Sequence, residues 1–113
     1  MKLEMSAPLE VGICCRVLLR LRRFYEEVMG FTFVSEIAVP ADKAAPSGLS
    51  ADGYTVVRLQ TSYGERVKLL APKTPPQAQA PSDYILDRAG AMYLTFIVED
   101  IDSAISRLHK ARA

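Results

Sequence analysis

The sequence predicts an α+β protein in which a β-α-β-β-β module is followed by a partial second module of one strand and one helix. Residues 9–17 alternate apolar and polar side chains with the period of a half-buried strand, and residues 21–28 then change to the period of a helix. Residues 92–111 repeat both patterns in the same order. We therefore predict a first module over residues 9–72 and a partial second module over 91–112, within one domain spanning 1–113.

The first helix has the clearest signal in the chain. Its apolar stripe recurs at i, i+3, i+4 and i+7 and consists of Leu21, Phe24, Tyr25 and Val28. Arg22 stands four residues before Glu26, a spacing that supports a helix by about 0.2–0.5 kcal/mol. Gly30 follows the stripe at the place where a left-handed residue ends a helix, and a new strand is predicted over residues 31–37.

The middle of the chain is predicted to be a hairpin between two irregular segments. Residues 39–53 are rich in Pro, Ala, Ser, Gly and Asp, which predicts a loop too small and polar to contribute to a core. Residues 54–60 and 65–70 are predicted strands, joined by a short turn in which Gly64 supplies a positive φ. Residues 71–82 contain four prolines and are predicted to be extended and irregular.

The last third of the chain is predicted to form a helical turn over 83–88, a strand over 92–98 and a final helix. Asp100 stands at the N-cap position of that helix. The helical stripe that follows consists of Ile101, Ala104, Ile105 and Leu108. The only histidine, His109, lies near the helix end, where a cation is favourable, and we expect it to face solvent and not to bind metal.

The composition is that of an ordinary globular domain and excludes several partners. The chain has 113 residues, 50% hydrophobic and 24% charged, with a net charge of +1, so no global field attracts nucleic acid or an anionic membrane. No apolar run is long enough to span a membrane, and the N-terminus lacks the apolar region of a signal peptide. These features predict a cytoplasmic protein without nucleic-acid or membrane partners.

The two cysteines, Cys14 and Cys15, are adjacent in a predicted strand, so their side chains should point to opposite faces. We expect two reduced thiols, with Cys15 in the core. Cys14 would be a nucleophile only with a nearby base, and the sequence offers only the distant His109.

The strand faces opposite the helices carry most of the polar candidates for a site. Alternation places on that side Glu10, Cys14, Arg16, Arg58, Arg66, Lys68 and Tyr93, among others. One interpretation is a solvated sheet surface or interface. The other is a cationic cleft for a small anionic or polar molecule, with Tyr93 as an aromatic wall.

Four motifs occur in order along residues 9–112, namely LEVGICCRV, RRFYEEVMGF, VKLLAP and YLTFIVEDIDSAI. Their residue types and order resemble the vicinal oxygen chelate superfamily, also called the glyoxalase, bleomycin-resistance and extradiol-dioxygenase superfamily. The Phe24-Tyr25 pair followed by Met29-Gly30-Phe31 is the most specific part. The resemblance implies paired modules whose mixed, curved sheet carries its helices on one face and encloses a cleft for a small ligand, often with a divalent metal.

The same resemblance implies which positions would hold that metal. Glu10 stands where the first histidine ligand is usual, Lys68 where a glutamate is usual and Tyr93 where the second histidine is usual. The fourth ligand would come from a strand that follows the last helix in the family. Lys68 has no acceptor when protonated and Tyr93 is an uncommon ligand, so we expect no standard metal site and no cofactor, with Glu10 alone able to bind a metal.

Three functions stay open at this point. The first is a metal-free homodimer whose cleft binds a small molecule, as in bleomycin-resistance proteins. The second is a metal-dependent lyase, isomerase or dioxygenase of the glyoxalase type, with ligands completed by a partner chain. The third is a truncated domain with only an assembly role, in which dimerisation with strand exchange covers the edge of the last strand.

Overall fold

A computed structural model describes residues 2–78, 80, 83–87, 89–90 and 93–112. The chain divides into two compact units, residues 1–77 and residues 78–113. The first unit contains the whole predicted β-α-β-β-β module, and the second contains the predicted final helix. The single domain over residues 1–113 stays a prediction.

The first unit is built on an open, curved sheet of four strands in the order β1-β4-β3-β2. The strands are β1 (Glu10–Cys14), β2 (Thr32–Pro40), β3 (Gly53–Gln60) and β4 (Arg66–Pro72). β1 runs parallel to β4, whereas β2 pairs with β3 and β3 with β4 in antiparallel fashion. The sheet is therefore mixed, as the resemblance implied.

The helix between β1 and β2 starts as an α-helix, α1 (Leu18–Arg23), and ends in a π-helical turn over Phe24–Val28. The N–H of Met29 donates to the carbonyl of Phe24 at 3.1 Å, which closes this wider turn. Gly30 then has φ 76°, so the predicted left-handed residue ends the helix. Tyr25 of the predicted stripe is buried and its ring packs against Phe31 at 5.2 Å between centroids.

The core lies between this helix and one face of the sheet. The guanidinium of Arg22 stacks over the Phe33 ring at 4.4 Å and its Nε pairs with Glu26 at 2.7 Å, so α1 lies over the face that includes Phe33. Cross-strand pairing places Phe33 beside Leu59, and Leu59 beside Val67. We call this the helix-covered face. Its most buried side chains are Val57, Leu59, Val67 and Leu69.

The predicted loop at 39–53 is wrong at both ends. Val39 pairs with Tyr54 and Pro40 with Gly53, so the β2–β3 ladder continues into the segment. A short helix, α2 (Ala41–Ala44), follows, and Ala44 is only 1% exposed. A small side chain packs closely against a sheet where a large one would not fit, so small residues here do contribute to the core. Gly53 has φ 96°, and a Cβ there would lie 2.6 Å from the Val39 carbonyl oxygen, which explains glycine at this junction.

The β3–β4 hairpin and the elements of the second unit follow the sequence with one exception. Gly64 has φ 118° in the hairpin turn. A 3-10 turn covers Ile85–Asp87. The final helix is α3 (Ile101–Arg112), and Asp100 caps it, because its Oδ1 accepts a hydrogen bond from the Ser103 N–H at 3.0 Å. These three predictions are confirmed.

The exception is the strand predicted over residues 92–98. Residues 93–98 form no strand in the structure, and Met92 lies outside the described residues. Alternation determines which side chains would share a face, but a strand exists only where its backbone groups pair with another strand. The described residues of the second unit therefore contain no strand.

Candidate functional site

The predicted site residues of the first unit meet on the face of the sheet opposite α1. In the ladder, Glu10 lies beside Arg66, Gly12 beside Lys68, and Lys68 beside Arg58. Residues directly paired across strands have their side chains on the same side of the sheet. We call this the polar face, formed by Glu10, Gly12, Cys14, Ser35, Ile37, Val56, Arg58, Gln60, Arg66, Lys68 and Leu70.

The polar face is divided along the strands into a charged end and an apolar end. The charged end carries Glu10, Arg58, Arg66 and Lys68. The apolar end begins one pair further along, where Val56 lies beside Leu70 and Leu70 beside Cys14. A molecule on this face would therefore meet charges at one end and aliphatic groups at the other.

One ion pair joins two strands at the charged end. The Nε of Arg58 lies 3.5 Å from Oε2 of Glu10, and both side chains are 29% exposed. The contact is longer than a hydrogen bond, and Glu10 Oε2 has no hydrogen-bond donor among the described residues although it is shielded from solvent. The pair is thus held by charge, and the carboxylate keeps an unused acceptor.

Arg66 presents the complementary case. Its Nε is also shielded from solvent and has no hydrogen-bond acceptor among the described residues. In that same part of the chain no carboxylate lies within salt-bridge distance of Arg66 or Lys68. A buried polar atom without a partner costs about 1–3 kcal/mol, so the native structure usually supplies a partner for it.

Gly12 is the position at the charged end that has no side chain. It is opposite Lys68, and a Cβ placed on it would lie 3.1 Å from Cδ1 of Leu70. The Leu70 side chain therefore packs against the strand at Gly12, between the positions of Glu10 and Cys14. Alternation had placed Gly12 on this face with Glu10 and Cys14, and the pairing with Lys68 agrees with that placement.

Arg16 does not belong to the polar face. β1 ends at Cys14, and Arg16 lies in a bend that leads into α1. The last backbone bond between β1 and β4 runs from the N–H of Cys15 to the Leu70 carbonyl at 2.9 Å, and no β4 residue pairs with the chain beyond it. The prediction that alternation continues through Arg16 and Val17 is therefore wrong.

The two cysteines differ in environment as predicted, but Cys15 is less buried than expected. Both thiols are free, Cys14 is exposed and Cys15 is half-buried. Burial, and next the neighbouring Cys14, raise the pKa of the Cys15 thiol. A raised pKa lowers the thiolate fraction at neutral pH, so nothing in this environment activates Cys15 as a nucleophile.

The remaining candidates lie in the second unit. Tyr93 is 66% exposed in the segment without strand structure, and its place as a wall of the cleft stays a prediction. His109 is exposed in the last turn of α3, so it faces solvent as expected. That it binds no metal stays a prediction. Across the described residues, no three His, Cys, Asp or Glu side chains come close enough together to hold a metal ion.

Sequence reasoning missed Ser35, which lies beside Arg58 on the polar face. A bulge between Phe33 and Ser35 inserts an extra residue, so Phe33 belongs to the helix-covered face whereas Ile37 belongs to the polar face. Simple alternation would have placed both on one side, because they are an even number of residues apart. No residue type between Phe33 and Ser35 predicts the bulge from the sequence.

A mixed four-stranded sheet with a helix over one face and charged side chains on the other defines a β-α-β-β-β module. The model of the Glyoxalase/Bleomycin resistance protein/Dioxygenase superfamily matches residues 9–113, and the chain belongs to that superfamily.

Solved structures agree with this assignment. A glyoxalase family protein from Bacillus cereus is 25% identical, with a TM-score of 0.70 over 97% of this chain and 74% of that one. The protein SMU.1112c is 18% identical, with a TM-score of 0.59 over 98% of this chain and 77% of that one, and shows the fold alone. No curated protein sequence matches the chain. Among the described residues, no helix is long and apolar enough to cross a membrane.

Proposed function

We propose that the polar face binds a small anionic or polar molecule without a standard metal site. The observation that carries this proposal is the shielded Arg66 Nε, which has no acceptor among the described residues. On the neighbouring strand, Glu10 Oε2 accepts no hydrogen bond and has only the ionic contact with Arg58, and Lys68 has no carboxylate within salt-bridge distance in the same part of the chain. A ligand that accepts from Arg66 and donates to Glu10 would satisfy both atoms.

The balance of charge favours an anion. Three cations, Arg58, Arg66 and Lys68, share the charged end with one carboxylate, Glu10, which already pairs with Arg58. A planar guanidinium binds a carboxylate or phosphate through two parallel hydrogen bonds, and partial burial strengthens such contacts. The apolar end of the face, at the half-buried Leu70 and the exposed Cys14, would hold a small hydrocarbon part of the same molecule.

The residues present do not fit the divalent metal that the family resemblance implies. Glu10 offers a carboxylate oxygen, but its other neighbours on the polar face are the cations Arg58 and Arg66. Lys68, at the position where a glutamate is usual, adds a further positive charge that repels a metal ion. A metal-dependent reaction would therefore need ligands from another chain.

We further propose that the protein works as a homodimer in which a second copy covers part of this module. β1 and β2 are the edges of the sheet, and β2 presents Phe33, Val34 and Ile37 as exposed large apolar side chains. Unpaired strand edges with apolar residues are usually covered. Light scattering coupled to gel filtration should give twice the chain mass, and a monomer at all concentrations would refute the dimer.

The binding proposal is tested by thermal-shift measurements with phosphate, succinate and citrate against the uncharged analogue succinamide. At least one anion should raise the melting temperature of the wild type, because a ligand that binds only the native state stabilises it. The Arg66→Gln, Lys68→Gln double variant should lose that shift. The matched control is Lys73→Gln with Arg23→Gln, which removes the same charge from exposed positions outside the polar face.

Equal loss in the control and the site variant would mean that the anions act through net charge alone and would contradict the proposal. A metal analysis after incubation with nickel, manganese, zinc and iron(II), followed by desalting, provides the second check. Retention of about one metal per chain that depends on Glu10 would favour the metal-dependent alternative instead.

A further inference from the structure

A cavity of about 870 Å³ lies at the end of β1, apart from the charged end of the polar face. It opens between the bend at 15–17, the first helix and Pro75. Its walls are mainly apolar and include Ile13, Val17, Leu21 and Phe24. We call it the end cavity. Its volume falls in the range of about 300–1,000 Å³ that is usual for small-molecule sites.

Two cations line the end cavity without acidic neighbours. Arg16 and Arg20 contribute to its wall, no Asp or Glu does, and both arginines are exposed. Among the described residues, no carboxylate lies within salt-bridge distance of either guanidinium. Arg22 of the same helix differs, because it pairs with Glu26 at 2.7 Å and with Glu36 at 3.4 Å.

The cysteine thiols at the cavity do not oppose an anion. Cys14 and Cys15 both line it. Burial raises the pKa of Cys15, so its thiol is neutral around pH 7 and adds no negative charge to the wall. The cavity thus combines hydrocarbon walls with two guanidinium groups whose N–H donors can bind an anion.

We propose that the end cavity binds a single-chain carboxylate, with the alkyl chain against Ile13, Leu21 and Phe24 and the carboxylate on Arg16 and Arg20. Apolar walls select a hydrocarbon chain, and the two arginines on the lining favour a carboxylate head. Neither property alone would separate this ligand from an alcohol or from an inorganic anion. The site shares Cys14 with the apolar end of the polar face and none of the charged residues of that face.

The test is isothermal calorimetry with octanoate, 1-octanol and butyrate, each below its aggregation concentration. Octanoate should bind more tightly than butyrate, by roughly fourfold for each CH₂ that is fully buried. The Arg16→Gln, Arg20→Gln double variant should bind octanoate roughly tenfold or more weakly, because it loses the charge-assisted hydrogen bonds. Its affinity for 1-octanol should equal that of the wild type.

Two control variants locate the binding. Arg23→Gln removes a charge from the same helix outside the cavity and should leave octanoate binding unchanged. Arg66→Gln with Lys68→Gln should also leave it unchanged, because those residues lie on the polar face. Octanoate binding that is absent in the wild type, or that falls equally in either control, would overturn the proposal.

Thiol protection gives a second readout on the unaltered protein. Octanoate in the end cavity should slow the alkylation of Cys15 by iodoacetamide, whereas butyrate at the same concentration should not. Peptide mass spectrometry measures the extent of alkylation at Cys15. Alkylation of Cys15 at the same rate with and without octanoate would overturn the proposal, even if the arginine variants prove unstable.

Discussion

The two faces of the sheet use the same strands for opposite purposes. On the helix-covered face, Leu59 and Leu69 are fully buried and their buried neighbours are aliphatic. Among the described residues, no charged side chain is buried there. On the polar face, one residue along the same strands, Arg58 and Lys68 are half-buried beside Glu10. The first face satisfies its groups within the module, whereas the second leaves an acceptor and a donor without partners among the described residues.

This difference teaches where stability and binding reside in the module. Burial of aliphatic groups stabilises the fold at about 25 cal/mol per Å² and requires no specific partner. Shielded polar atoms cost free energy until something pairs with them. We therefore expect substitutions on the helix-covered face to change unfolding, and substitutions on the polar face to change ligand retention with little loss of stability.

The largest effect is expected for Leu59→Ala. Leu59 is fully buried, so its truncation removes contacts and leaves a cavity, which should lower the free energy of unfolding by about 2–5 kcal/mol. Urea denaturation followed by circular dichroism measures this. Lys68→Ala, on the opposite face, is the control and should change it by less than about 1 kcal/mol. A similar loss in both variants would erase the contrast between the faces.

A smaller effect, of opposite sign, is expected for Arg66→Met. The substitution keeps much of the side-chain volume and removes the shielded Nε that lacks an acceptor, so it should stabilise the protein by about 1 kcal/mol. The same variant should lose anion-dependent shifts in melting temperature. Destabilisation by Arg66→Met would indicate that Arg66 has a structural partner, and the polar face would then resemble the other face.

The smallest effect concerns the hydroxyl of Tyr25, the buried residue of the π-helical turn that follows α1. Burial raises the pKa of Tyr25 above its ordinary value of 10.0. The folded state therefore holds this proton more firmly than the unfolded state, so the contribution is complete below pH 10.0 and is lost as the pH rises through the folded pKa. Unfolding measured between neutral and alkaline pH should show this decline, and Tyr25→Phe should reduce it. An unchanged alkaline slope in Tyr25→Phe would assign the decline to other groups.

Local patterns were sufficient to predict the first helix, the hairpin and the cap at Asp100, because neighbouring residues determine each of them. Alternation also placed Glu10, Arg58, Arg66 and Lys68 on one face before any pairing was known. It failed where pairing decides the outcome. The bulge before Ser35 reverses the sides of β2, β1 stops before Arg16, and residues 93–98 form no strand despite a strong pattern. The shielded Arg66 Nε emerges only from the packing around it.

The parallel pairing of β1 with β4 also bears on the order in which the module assembles. β2, β3 and β4 are joined by short-range antiparallel pairing, whereas Glu10 meets Arg66 only after the chain between them has been ordered. Closing so long a loop costs entropy that local contacts do not. The three-stranded meander can thus form early, with β1 docking late. We therefore expect the charged end of the polar face, which needs Glu10, to be completed late in folding and lost early in unfolding.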